Sequence, residues 1–170
     1  IVVHVRTEKG KGFKFAEEDK ETFHSVGPFN IENGEIYNKG KEFEYKDLIR
    51  DYLIEKADTD EELVIVTSGV PLVMGLDKEH RNMIKEGQYV DVGITEDHAI
   101  SYISAMAKDG IKPVYGTSST FLQVSYDRLS QDLMMNKNPA TVLVYNASIS
   151  SAKNMTHLGI FDINTLSHIP

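Results

Sequence analysis

The chain has 170 residues, enough for one domain with a real core, and no cysteine, which excludes disulfides and thiolate metal sites. Its 18 Lys and Arg against 26 Asp and Glu leave a formal charge of −8, which argues against non-specific nucleic-acid binding, since that needs basic surface. No run of about 18 apolar residues occurs, so the sequence gives no reason to expect a membrane span.

Ile1 to Arg6 is a β-branched run and predicts a strand. The chain starts abruptly inside that run, which reads as part of a longer protein. Thr7 to Lys20 is charged and rich in Gly and Lys and predicts a loop, with Gly10 and Gly12 in a turn. Phe23 to Lys41 carries Gly27-Pro28, Asn33-Gly34, Asn30, Asn38 and Gly40 and predicts an interdomain linker. Tyr45, Leu48, Ile49, Tyr52 and Leu53 recur at helical spacing up to Lys56. Leu63 to Thr67 predicts a buried strand with a turn at Ser68-Gly69. Leu72, Val73 and Leu76 predict a short helical stretch that stops before Ile84. Tyr89 to Ile94 predicts another buried strand. Thr95-Glu96-Asp97-His98 is a helix-start pattern, with Ala99, Ile100, Ile103, Met106 and Ala107 at helical spacing and Gly110 as the stop. Lys112 to Gly116 predicts a strand, and Leu122, Tyr126, Leu129 and Leu133 a longer amphipathic helix. Thr141 to Tyr145 predicts a buried strand. Asn146 to Asn154 is small and polar and is expected to be mobile, and Ile160 to Ile169 predicts a short helix.

Strands that alternate with helices predict an α/β fold, a mostly parallel sheet with helices on both faces. Glu96 falls where a strand hands over to a helix, the end of an open α/β sheet at which ligands bind. Spacing alone makes Glu96 a helix-dipole partner, Phe121 a core aromatic, and His24 and His157 surface residues.

Five segments in order go further. Asp91-Val92-Gly93-Ile94-Thr95-Glu96-Asp97-His98-Ala99 resembles the D-V-G-I-x-E-Q-H-A segment of 1-deoxy-D-xylulose-5-phosphate synthases, members of the transketolase superfamily. Ser119-Thr120-Phe121-Leu122-Gln123 with Tyr126-Asp127 is similar to that family's Y-S-T-F-L-Q-R-x-Y-D-Q. Thr156-His157-Leu158-Gly159-Ile160-Phe161-Asp162 is similar to its T-H-Q-G-x-F-D. His4 to Phe13 and Thr22-Phe23-His24-Ser25-Val26 resemble its H-V-x-T-K-K-G-x-G-Y and F-H-x-V.

The resemblance implies that residues 43–170 are a pyrimidine-binding, transketolase-like domain, and that residues 1–42 are the tail of a diphosphate-binding domain plus its linker. It implies thiamine diphosphate and Mg²⁺ as cofactors, with the diphosphate and metal ligands outside these 170 residues and no metal ligand within them. Glu96 would hydrogen-bond the cofactor's aminopyrimidine and favour the tautomer whose nitrogen takes the thiazolium proton. Phe121 would pack on that ring. His157 and His24 would face the reacting carbon and the substrate hydroxyls, where a group titrating near working pH is useful. His98 would sit beside the site, while His4, Tyr126 and Asp127 read as structural and His80 and His168 have no support. The substrates implied are pyruvate and an aldehyde acceptor, glyceraldehyde 3-phosphate, toward isoprenoid precursors, in a cytoplasmic homodimer.

Departures from the pattern cluster around the expected acceptor end. Ser118 stands for a Tyr, Val124 for an Arg, Lys153 for an acid, Tyr145-Asn146-Ala147-Ser148 for D-R-A-G, and Asp97 for a Gln. Val cannot replace the planar fork with which Arg grips phosphate. The leading expectation is a thiamine-diphosphate-dependent transferase. The alternatives are a divergent transketolase-like enzyme with another acceptor and a non-catalytic paralogue or partner subunit.

Overall fold

The computed structural model describes residues 1–37, 43–149 and 156–169. The chain divides into two units, Ile1–Glu42 and Phe43–Pro170. Asn38 and Gly40 of the expected linker, and Ser150 to Asn154 with Lys153, lie outside the described residues.

In the amino-terminal unit, Ile1 to Arg6 is not a strand. A strand needs a neighbour for its N–H and C=O groups. Here the apolar side chains of Ile1, Val2, Val3 and Val5 are exposed, and the only bridge described in this unit joins Phe29 to Ile36. The expected loop carries a short helix, α1 (Lys14–Glu18). The expected linker is partly folded too. Phe13 packs against Phe15, Phe23 and Phe29 with ring centroids 5.5, 5.6 and 5.5 Å away, and Phe23 meets Phe29 edge-to-face at 5.4 Å. Aromatics clustered by their quadrupoles order a stretch whose turn dipeptides suggested only connection.

The second unit is a four-stranded sheet in the order β2-β1-β3-β4. The strands are β1 (Leu63–Thr67), β2 (Tyr89–Asp91), β3 (Lys112–Ser118) and β4 (Thr141–Tyr145), and every pairing is parallel. As the alternation predicts, helices cover both faces. On one face α2 (Tyr45–Thr59) and the turn Pro71–Met74, which leads to the short α3 (Lys78–Arg81), pack Leu53, Ala57, Met74 and Leu76 on Leu63, Ile65 and Val114. On the other, α4 (Glu96–Lys108) packs Ala99, Ile100 and Ile103 on Val64, Val66 and Tyr115. The period of two sends alternate strand residues to opposite faces, so β1 is buried throughout.

Three details depart from expectation. The strands at Tyr89–Asp91 and Thr141–Tyr145 are half-buried, because they are the sheet's edges rather than its centre. In α2 the buried face is Arg50, Leu53 and Ala57, leaving Tyr45, Leu48 and Tyr52 exposed. The helix expected around Leu122 to Leu133 is irregular. It runs through α5 (Ser119–Leu122), a 3₁₀ turn, α6 (Tyr126–Arg128) and a π turn over Leu129–Met134. The Ser104 hydroxyl and the Asn136 amide both donate to the Asp132 carbonyl, and side chains inserted into a helical ladder widen it. The last helix is α7 (Asp162–Leu166).

The candidate site at the carboxyl ends of the strands

The chain runs from β1 to β2 on one side, then crosses back to β3 on the other. The reversal lies between β1 and β3, and the loops beyond their carboxyl ends frame the ligand crevice of such a sheet. Glu96 is the first residue of α4, just past β2. It is half-buried, and its carboxylate enters no ion pair or hydrogen bond with another described residue. Thr95 does not cap the helix with its side chain; its hydroxyl donates to the Val92 carbonyl at 2.9 Å instead. The placement of Glu96 comes from the turn before it. Asp91 Oδ1 accepts from Gly93 N at 2.9 Å and from Gly69 N at 2.8 Å. Asp91 stood in the quoted motif without a role. An Asp whose side chain caps the amide two residues on is a recognised turn pattern, but its second partner, 22 positions away, is invisible in sequence.

Beneath the first turns of α4 the apolar core turns polar. Tyr115 and Ser68, both buried, share a hydrogen bond of 2.8 Å. Burial raises the Tyr115 phenol above its usual range; the hydroxyls of Ser68 and Thr117 oppose that shift, and the Glu96 charge adds to it. Neither residue stood out in the sequence, since a Tyr in a strand reads as core. The hydroxyls of Ser119 and Ser125 are buried without a partner among the described residues.

Phe121 and His157, far apart in sequence, meet edge-to-face with ring centroids 5.2 Å apart. Phe121 follows the end of β3 on α5 and is half-buried, and His157 is exposed. His157 Nδ1 lies 2.7 Å from Thr156 Oγ1. Its segment is held by Gly159, whose N–H donates to the Ser148 carbonyl at 3.2 Å. A Cβ at Gly159 would overlap the Asn146 carbonyl oxygen, so only glycine allows this approach to the chain leaving β4. His24 lies in the amino-terminal unit, exposed at the end of a 3₁₀ turn, Thr22–His24. His98 is exposed, its ring 5.9 Å from that of Tyr102.

The departures have plain positions as well. Ser118 is buried and accepts from the Asn146 amide at 3.1 Å. Val124 is exposed. A cavity of about 440 Å³ lies between the start of α2 and the end of β4, lined by Lys46, Leu72, Tyr145 and Asn146 among others, and Glu96 is not part of it. Among the described residues no helix is long and apolar enough to cross a membrane, and no group of three or more His, Asp or Glu side chains could hold a metal ion.

Comparison with known proteins agrees with this architecture. The 1-deoxy-D-xylulose-5-phosphate synthase of Clostridium kluyveri is 39% identical over 172 residues, that of Caldanaerobacter subterraneus subsp. tengcongensis 39% over 170, and that of Trichodesmium erythraeum 37% over 172. All of this chain is covered in each case, but it spans only 27% of each relative's length. Residues 41–170 match the family described as transketolase, pyrimidine binding domain, and the chain therefore belongs to that family.

Proposed function

We propose that this chain is the pyrimidine-binding part of a thiamine-diphosphate-dependent carbon–carbon transferase of the 1-deoxy-D-xylulose-5-phosphate synthase kind. The observation that carries it is the half-buried Glu96 carboxylate, without a partner among the described residues, on the first turn of α4 at the ligand-binding end of the sheet. The donor set fits a flat heteroaromatic group, with one available carboxylate and one half-exposed aromatic ring, Phe121. Glu96 would hold a proton at a ring nitrogen of the aminopyrimidine, and Phe121 would stack on that ring. When bound, the cofactor supplies the carbanion chemistry, and the protein supplies tautomer and orientation. His157, whose ring Phe121 supports, and His24 would hold or move protons at the substrate hydroxyls.

In this reading residues 1–42 end a diphosphate-binding domain and residues 43–170 form the pyrimidine-binding one. Mg²⁺ and the diphosphate would be held by residues outside 1–170, in a cytoplasmic homodimer. The test is calorimetry together with turnover. Residues 1–170 with Mg²⁺ should show no tight thiamine diphosphate site, whereas the full polypeptide that carries them should bind it and consume pyruvate. A sub-micromolar dissociation constant for the 170-residue chain, about −8 kcal/mol or stronger, would contradict the division of the site. Absence of cofactor-dependent pyruvate consumption in the full polypeptide would overturn the function.

A second reading concerns the acceptor. Ser118 is buried with its hydroxyl engaged by Asn146, and Val124 is apolar. Neither offers phosphate a charged donor, and losing one charge-assisted contact costs about 1.5–3 kcal/mol, or about ten- to a hundred-fold in affinity. Weak use of glyceraldehyde 3-phosphate, and preference for an unphosphorylated or differently shaped aldehyde, is therefore expected. Comparing kcat/KM for phosphorylated and unphosphorylated acceptors with pyruvate checks it. Ordinary family efficiency with glyceraldehyde 3-phosphate would show that the substitutions do not matter.

A further inference from the structure

The sequence leaves α4 with a weak start. Its N-cap side chain makes no capping bond, and β2, which leads into it, is a three-residue edge strand. A helix end that lacks a cap frays, yet the residue at this end is Glu96. Something else must hold it.

Four contacts do so. The Val92 N–H donates to the Thr67 carbonyl at 3.0 Å, extending the β1–β2 ladder by one step. Asp91 Oδ1 then bridges Gly93 N in its own turn and Gly69 N beyond β1. Both glycines have positive φ, 73° and 75°, a conformation that turns their N–H groups toward one acceptor and that other residues resist. Next, the Thr95 N–H donates to the Gly93 carbonyl at 2.8 Å, and Glu96 follows. Gly69 also lies so close that a Cβ there would stand 3.0 Å from Ile94 Cγ1. One carboxylate oxygen thus fastens the turn before Glu96 to the loop beyond β1, at the carboxyl edge of the sheet.

We propose that Asp91 is the positioning residue for Glu96, acting as a bridging acceptor between the loops after β1 and β2 rather than as a reacting acid. The proposal rests on the reading of Glu96 given above. What matters is the Oδ1 acceptor and not the charge, so an amide of the same shape should serve.

The test uses hydrogen exchange on the 170-residue chain, followed by turnover of the full polypeptide. Asp91→Ala should speed exchange of the Gly69 and Gly93 amides by about ten- to a hundred-fold. It should also speed the Ala99 amide, which makes the first bond of α4 to the Thr95 carbonyl, and leave the strand amides of β1 and β3 protected. Asp91→Asn should keep all three slow. In the full polypeptide, Asp91→Ala should lower kcat and weaken thiamine diphosphate binding, with Asp91→Asn restoring both. Glu96→Gln separates the two ideas, because it should stop turnover while leaving the Gly69 and Gly93 amides slow. If Glu96→Gln stays active, the role of Glu96 fails, and the exchange data still judge the clip. Unchanged exchange in Asp91→Ala would overturn the proposal. So would an Asp91→Asn as impaired as Asp91→Ala, which would make the charge itself the active element.

Discussion

The two units of the chain place their candidate residues on unlike supports. Glu96 and Phe121 follow strands of a sheet covered on both faces, with β1 buried throughout. His24 sits on a 3₁₀ turn in a unit whose one buried apolar residue, among those described, is Ala16 and whose four phenylalanines stay half-exposed. A close-packed core holds a side chain to a fixed position, whereas a few ring contacts worth about 0.5–1.5 kcal/mol each do so weakly. The difference teaches that similar motif matches can rest on scaffolds of very different stiffness.

The strongest way to break the comparison is at Glu96. Glu96→Gln in the full polypeptide is expected to lower turnover by about 10²–10⁴-fold with the fold intact, read by kinetics beside circular dichroism. Wild-type activity would show that the carboxylate of Glu96 has no part in the reaction.

Core truncation sharpens the contrast next. Ile100→Ala, at a residue wholly buried against the sheet, is expected to cost about 2–5 kcal/mol. Phe23→Ala in the amino-terminal unit should cost less, about 1–3 kcal/mol for the two ring pairs lost. Denaturant titration of both variants decides it, and equal losses would mean that the aromatic cluster is a true core.

A smaller effect is expected at Gly159. Gly159→Ala must push the His157 segment away from Asn146, at about 1–3 kcal/mol of strain. The aromatic shifts of Phe121 and His157 should change as their edge-to-face contact is lost. Unchanged ring shifts would show that the loop can adapt.

The mildest test is alkaline. Burial pushes the Tyr145 phenol up to about 12 and raises Tyr115 as well. A raised phenol is neutral in the folded state while the unfolded chain ionises near 10. Its contribution is therefore complete below about pH 10 and is lost as pH climbs through about 12. Tyr145→Phe should leave neutral-pH stability nearly unchanged, since its hydroxyl has no partner among the described residues, and should flatten the fall in Tm above pH 10. An alkaline limb that does not change would show that Tyr145 has no part in it.

Much was legible in the chain itself. The β-branched run Leu63–Thr67, the helix-start pattern before Ala99 and the alternation of strands with helices fixed the α/β class, because periodicity records which faces are buried. The resemblance of three segments to one family pointed to Glu96, Phe121 and His157. Strand order was not legible, so Tyr89–Asp91 and Thr141–Tyr145 read as buried strands when they are edges. Ile1 to Arg6 had the composition of a strand, but a strand exists only where a neighbour completes its ladder. The meeting of Phe121 with His157, the Ser68–Tyr115 bond and the Asp91 bridge to Gly69 were decided by tertiary structure alone. Local sequence carries the period of an element and the residues able to cap or turn it. Which distant groups come within hydrogen-bond reach is set by crossover connections and sheet order, which no local pattern encodes.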